Sequence, residues 1–154
     1  TIDSNIRYGK TDISENEVKE AASVAQATEF IETKPEKYDS PIAQGGTNVS
    51  GGQKQRLSIA RAIAKKSEIF IFDDSFSALD FKTDSTLRKA LKEHTRDATT
   101  IIVAQRISTI LNADKIIVLD DGHMAGIGSH KELMKNCEVY RQIAMSQLSE
   151  EELA

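Results

Sequence analysis

Three short runs of uninterrupted apolar residues constrain the architecture of this chain more than any other feature. They are Ile69-Phe70-Ile71-Phe72, Ile101-Ile102-Val103-Ala104 behind Thr100, and Ile116-Ile117-Val118-Leu119 behind Lys115. Continuous rather than alternating apolarity is the pattern of a strand covered on both faces. A helical pattern with Leu87, Ala90 and Leu91 on one face separates the first two runs. Strands alternating with helices predict an α/β chain with a largely parallel sheet. Asp120-Asp121-Gly122 predicts a hairpin turn into residues 123–127.

Upstream, Ser14-Glu15-Asn16-Glu17 has the S-x-x-E form in which two side chains each satisfy an orphan backbone N–H, so the first helix is expected to begin at Ser14. Val18, Ala21, Ala22, Ala25 and Phe30 or Ile31 continue it near helical spacing. Pro35, Pro41 and Gly45-Gly46 mark a polar loop over residues 33–48. A second helix is expected from Ser50, carrying Leu57, Ile59, Ala60, Ile63 and Ala64. Ser129-His130-Lys131-Glu132 is another capping box, opening a helix through Leu133 and Met134, and Glu150-Glu151-Glu152 reads as a solvated tail. There are no internal repeats.

The 154 residues fit one domain. Lys and Arg number 20 against 24 Asp and Glu, a net charge of −4, which offers no basic footprint for nucleic acid. One cysteine, Cys137, makes no internal disulfide and no Cys-built zinc site. No apolar run approaches the ~18 residues of a membrane span, and no charged-then-apolar leader opens the chain. The start at Thr1, without Met, raises the expectation that the chain is not a whole protein.

Four features carry chemistry. Ser50-Gly51-Gly52 at the head of a helix presents a hydroxyl and unhindered N–H groups beside the positive end of the helix dipole, a ready anion site. A plain Ser N-cap with a flexible Gly lead-in reads the same three residues equally well. Asp73-Asp74 closes an apolar strand at the end where α/β sheets bind ligands, and the first of the pair suits a magnesium ion held through water. A turn former is the plainer reading of that pair. Ser77-Ala78-Leu79-Asp80 and Gln105, at the end of the second strand, say nothing in isolation.

In this order and spacing the four features resemble one family. Val49-Ser50-Gly51-Gly52-Gln53 is similar to the signature sequence of ATP-binding cassette (ABC) proteins. Residues 69–73 resemble the Walker B strand, residues 77–80 the D-loop, and Val103-Ala104-Gln105-Arg106-Ile107-Ser108-Thr109 the switch segment. Residues 113–119, then Gly122, Gly128, His130, Glu132 and Leu133, resemble the exporter branch, as does Thr1-Ile2…Asn5-Ile6…Gly9 after the Q-loop. The resemblance spans essentially the whole chain.

It implies the C-terminal part of a P-loop NTPase fold. The expected division is a helical subdomain at about 13–65 with the signature, a core at about 66–136, and a C-terminal helix and acidic tail at 137–154. The cofactors implied are ATP and Mg2+. Ser50, Gly51, Gly52, Gln53 and Asp80 would contact nucleotide, Asp73 the metal, and Asp74 and Gln105 would occupy the catalytic positions.

Two departures from the family alter the expected mechanism. The residue after the Walker B Asp is usually Glu, which polarises the attacking water, and here it is Asp74. A base must come within about 2.6–3.2 Å of the proton it accepts, and a side chain one methylene shorter should miss. The switch residue is usually His, and Gln105 can donate to a phosphate but has no titratable proton. Both changes fall on one site, while the signature is intact. This resembles the degenerate half of a heterodimeric exporter, whose signature completes the partner cassette's site. Gln44 also stands where exporters commonly have Glu.

A P-loop requires G-x-x-x-x-G-K-[ST] after a strand. Gly9-Lys10-Thr11 has Ser4 five residues before it and no buried strand, so it is rejected. The Q-loop glutamine and the adenine-stacking aromatic are also missing, as is any membrane-spanning domain. The chain is therefore expected to be a fragment, inactive by itself and prone to self-association, from a transporter subunit at the cytoplasmic face of the cell membrane. A non-transport ABC ATPase and a regulatory domain without nucleotide binding are the alternatives; the exporter-like ends and the absent basic patch weigh against the former, the signature and D-loop against the latter.

Overall fold

Helix α4 (Gly51–Ala64) organises the first of two compact units, residues 1–101. The structure is a computed structural model and describes residues 1–10 and 12–149, so the acidic run at 150–152 lies outside it. Leu57, Ile59, Ala60, Ile63 and Ala64 form the buried face of α4, and α1 (Ile2–Ile6) and α2 (Glu15–Val24) pack on it. Burying one such Leu or Ile is worth about 1.5–3 kcal/mol.

The Ser14 capping box forms as expected. The Ser14 hydroxyl accepts from the Glu17 N–H while the Glu17 carboxylate accepts from the Ser14 N–H at 2.9 Å. Two features differ from the sequence reading. Residues 2–6 form a helix, capped reciprocally by Thr1 and Ser4, with Ile2 and Ile6 fully buried. The helix from Ser14 does not run through to Ile31. It ends at Val24, Gln26 takes a left-handed φ of 55°, and α3 (Thr28–Glu32) starts afresh. The break leaves Ala25 and Ala27 fully buried, and the Gln26 carbonyl, released from helical pairing, accepts from Arg56 Nη1 at 2.8 Å.

The polar loop that follows holds two single 3-10 turns, Lys37–Asp39 and Gln44–Gly46. It is pinned where it meets α4. Asn48 accepts from the Ala43 N–H at 3.0 Å and donates to the Pro41 carbonyl at 2.8 Å, while Lys54 Nζ donates to the Gly45 carbonyl at 2.9 Å.

Strands β1 (Ile69–Asp73) and β2 (Thr99–Val103) are parallel neighbours in one sheet, connected through α5 (Phe81–His94). The expectation that they are covered on both faces does not hold within this chain. In β1 burial alternates, Phe70 and Phe72 inward and Ile71 67% exposed, and in β2 Ile101 and Val103 are exposed. The inward rings of Phe70 and Phe72 stack, and Phe76 closes against Phe72 with centroids 5.6 Å apart.

The second unit, from Ile102 onward, contains α6 (Ile107–Ile110), β3 (Ile116–Asp120), β4 (His123–Gly128), α7 (His130–Asn136) and α8 (Glu138–Gln147). The expected hairpin forms, with β3 and β4 antiparallel and Asp120 opposite His123. Asp121 and Gly122 both have positive φ, 47° and 77°, as a primed two-residue turn demands. A bulge between Val118 and Leu119 shifts the register. Ile107, Ile116, Val118, Leu133, Cys137, Tyr140, Ala144 and Leu148 form the core of this unit. Cys137 lies so close to β4 that a methyl group on Gly126 would stand 2.9 Å from its sulfur. Among the described residues no helix is long and apolar enough to cross a membrane.

Candidate functional site

Ser50 sits at the N-cap of α4 in extended conformation, its hydroxyl accepting from the Gln53 N–H at 3.2 Å and its own N–H donating to Gln53 Oε1 at 3.1 Å. The cap uses the oxygen of the hydroxyl as acceptor, which leaves its proton available to an anion. The N–H groups of Gly51 and Gly52, in the first turn, have no intrahelical acceptor by construction. The sequence left a plain cap and an anion site as alternatives, and one geometry accommodates both.

Gly52 is required by contact rather than by dihedral angle. A Cβ there would stand 3.0 Å from the Ala78 carbonyl oxygen, whereas one on Gly51 would meet only the Ala78 methyl at 3.5 Å. The signature-like helix start and residues 76–79 are thus packed backbone to backbone. Gln55, one turn on, fastens the same segment. Its Nε2 donates to the Asp74 carbonyl at 3.2 Å and to Ser77 Oγ at 3.0 Å, and its Oε1 accepts from the Ala78 N–H at 3.0 Å.

Asp73 ends β1 and Asp74 follows it, both with exposed side chains, and Asp74 adopts a left-handed φ of 46°. Asp80 is the N-cap of α5. One carboxylate oxygen accepts from the Thr83 N–H at 3.0 Å and the other from the Thr83 hydroxyl at 2.7 Å, and these bonds, the hydroxyl's first, hold its pKa below the ordinary carboxylate value. Arg56 donates to the carbonyls of Gly52 and Gln26 and lies 4.9 Å over the Phe30 ring. Burial lowers its pKa, and the charges of Asp80 and then Glu29 oppose that shift.

Gln105 belongs to the second unit, in the turn between β2 and α6, with its side chain exposed. Its main-chain carbonyl accepts from Gln147 Nε2 at 2.9 Å, and Gln147 Oε1 accepts from the Ile107 N–H at 2.9 Å. Gln55, Arg56 and Gln147 were not legible as functional. Each acts on main-chain atoms distant in sequence, which no local pattern reveals.

The fold and these motifs have known counterparts. The sequence profile of the ABC transporter family matches residues 2–77. The chain is 44% identical over 150 residues to an uncharacterized ABC transporter ATP-binding protein of Mycobacterium tuberculosis, covering 96% of this chain and 25% of that protein. It is 43% identical over 143 residues to a putative multidrug export ATP-binding/permease protein of Staphylococcus aureus, covering 93% and 25%. The solved structure of a bacterial Atm1-family ABC exporter with ATP bound superposes with a TM-score of 0.92 at 39% identity, covering 97% of this chain and 26% of that one.

The chain belongs to the ABC transporter family. It spans about a quarter of the length of these relatives and corresponds to the C-terminal part of the ABC cassette. ABC cassettes bind ATP, typically with Mg2+. The residues present fit such a ligand in two respects. The α4 start offers a free hydroxyl proton and first-turn N–H groups to phosphate. The exposed carboxylate of Asp73, the last residue of β1, suits an ion that keeps most of its water and phosphate ligands.

Proposed function

We propose that this chain is part of the ATP-binding subunit of an ABC exporter, that its signature helix completes the ATP site of a partner cassette, and that its own site is degenerate. The observation that supports this reading is the contrast between an α4 start whose Ser50 cap leaves a hydroxyl proton and first-turn N–H groups for an anion and a strand end where Asp74 stands in the position of the usual Glu. In the partner's site Ser50 donates its hydroxyl proton to phosphate, Gly51 and Gly52 supply N–H groups, and Gln53 and Asp80 border the nucleotide. In its own site Asp73 would hold Mg2+ in part through water, Asp74, one methylene shorter than Glu, would fall short of the attacking water, and Gln105 would donate from its amide without accepting a proton. The bound ATP–Mg2+ supplies the scissile phosphoanhydride and the charge neutralisation that hydrolysis needs.

Working as a heterodimer, such a subunit sits at the cytoplasmic face of the membrane, joined to a membrane-spanning domain. The 154-residue chain alone is inactive on this reading. The decisive experiment compares single substitutions in the full-length transporter with its partner. Ser50→Ala should remove most ATP turnover, and Asp74→Asn should change it little. Arrest of hydrolysis by Asp74→Asn with a silent Ser50→Ala would reverse the assignment of the two sites.

A further inference from the structure

We propose that Gln147, at the end of α8, is a positioning residue for the switch segment, which it holds by its main chain. The inference rests on reading residues 103–109 as that segment. The cap residue of α6, Arg106, makes no side-chain cap bond, so the first N–H of this short helix has no local acceptor. Gln147 Oε1 provides one from 40 residues away, at 2.9 Å, and the other end of the same carboxamide donates to the Gln105 carbonyl at 2.9 Å. One planar group therefore brackets Arg106, fixing the main chain on both sides of it and with it the direction in which the residue at 105 leaves the backbone.

The clip is itself well anchored. Ala144 and Leu148, flanking Gln147 on α8, are buried in the same core as Ile107. Both bonds go to main-chain atoms, so they hold whichever side chain occupies position 105, Gln or His. Two bonds to backbone from a single side chain are also directional, which packing alone is not.

The first arm of the test measures amide hydrogen exchange in the 154-residue chain. Gln147→Met keeps the length and helix propensity of the side chain but removes both bonds. The Ile107 amide should exchange about fivefold to tenfold faster, the usual effect of losing one such bond, while the amides along α8 keep their rates. Gln142→Met serves as the control, since among the described residues the Gln142 side chain bonds to Glu138 on its own helix. An unchanged Ile107 rate in Gln147→Met, or an equal rise in Gln142→Met, would overturn the proposal.

The second arm uses the full-length transporter carrying Asp74→Glu and Gln105→His, in which the site is expected to regain hydrolysis. Adding Gln147→Met should lower kcat by a similar factor and leave KM for ATP unchanged. An untouched kcat beside a faster Ile107 amide would overturn the positioning role. If the Asp74→Glu/Gln105→His pair gains nothing, the site is limited by a defect at neither of these two positions, and the exchange experiment decides on Gln147 by itself.

Discussion

The carboxamide of Gln55 holds the main chain of Asp74, donating to its carbonyl oxygen at 3.2 Å while the same side chain accepts from the Ala78 N–H at 3.0 Å. A residue of α4 thereby sets the path of the chain that leaves β1. Replacing Gln55 with Ala removes three partly solvated bonds and should cost about 1–2 kcal/mol. Denaturant melts should show this as a lower midpoint at constant slope. The Ala78 amide should lose protection at the same time, and a variant with wild-type exchange there would show that the clip is dispensable.

Gly51 and Gly52 should respond differently to the same substitution. Alanine at 52 meets the Ala78 carbonyl at 3.0 Å, an overpacking that costs about 1–3 kcal/mol and outweighs a helix-propensity gain of at most ~1 kcal/mol. Alanine at 51 meets only a methyl at ordinary contact distance. Thermal melts should place Gly52→Ala below the wild type by a few degrees and Gly51→Ala level with it or above.

Glu17 makes an acid-sensitive joint. Its carboxylate accepts from Lys66 Nζ at 2.6 Å and from the Ser14 hydroxyl and N–H, which together lower its pKa from 4.5 to about 2. The folded value lies below the unfolded one, so the stabilisation is complete above about pH 4.5 and is lost as the pH falls towards 2. Glu17→Gln should flatten stability against pH across that window, measured by denaturant titration at a series of pH values. A slope unchanged by the substitution would assign the acid sensitivity to other groups.

Three helix starts were readable because their determinants are local. Ser14 with Glu17, Ser50 with Gln53 and Ser129 with Glu132 each close a capping box within four residues. The Asp121-Gly122 turn was readable for the same reason. The break at Gln26 was not, because no Gly or Pro marks it and the group that satisfies its carbonyl is Arg56, 30 residues on. The alternating burial of β1 was hidden by a run apolar at every position. Ser50, Gly52, Asp73 and Asp80 could be picked out as motif residues, whereas the amides that hold their loops could not.

On the proposed reading, two changes act on one transition state. In the full-length transporter Asp74→Glu with Gln105→His should raise hydrolysis more than the singles would suggest. Glu tolerates the left-handed φ of residue 74 less well than Asp, so a small loss of stability should accompany the gain. Steady-state ATPase rates of the four variants make the test, and a double mutant equal to wild type would place the defect elsewhere.

The open faces of the strands predict association. Ile69 and Ile71 on β1 are 59% and 67% exposed, and Ile117 and Leu119 on β3 are 59% and 68% exposed. Exposed apolar strand residues invite pairing with another chain. Light scattering of the 154-residue chain should show concentration-dependent self-association, weakened by Ile71→Lys. The same chain should give no saturable ATP–Mg2+ binding in calorimetry, since it carries no P-loop motif. A strict monomer at high concentration, or micromolar ATP affinity, would each count against this account.

Arg56 gives the first unit a line of force. The guanidinium touches the Gln26 carbonyl, the Phe30 ring and the Gly52 carbonyl, and its charge interacts with that of Asp80. Phe30 on α3 and the first turn of α4 are thus tied to one flat cation rather than to each other. Because arginine stays charged throughout the physiological range, this joint between α3 and α4 keeps its charge in acid and alkaline solution alike.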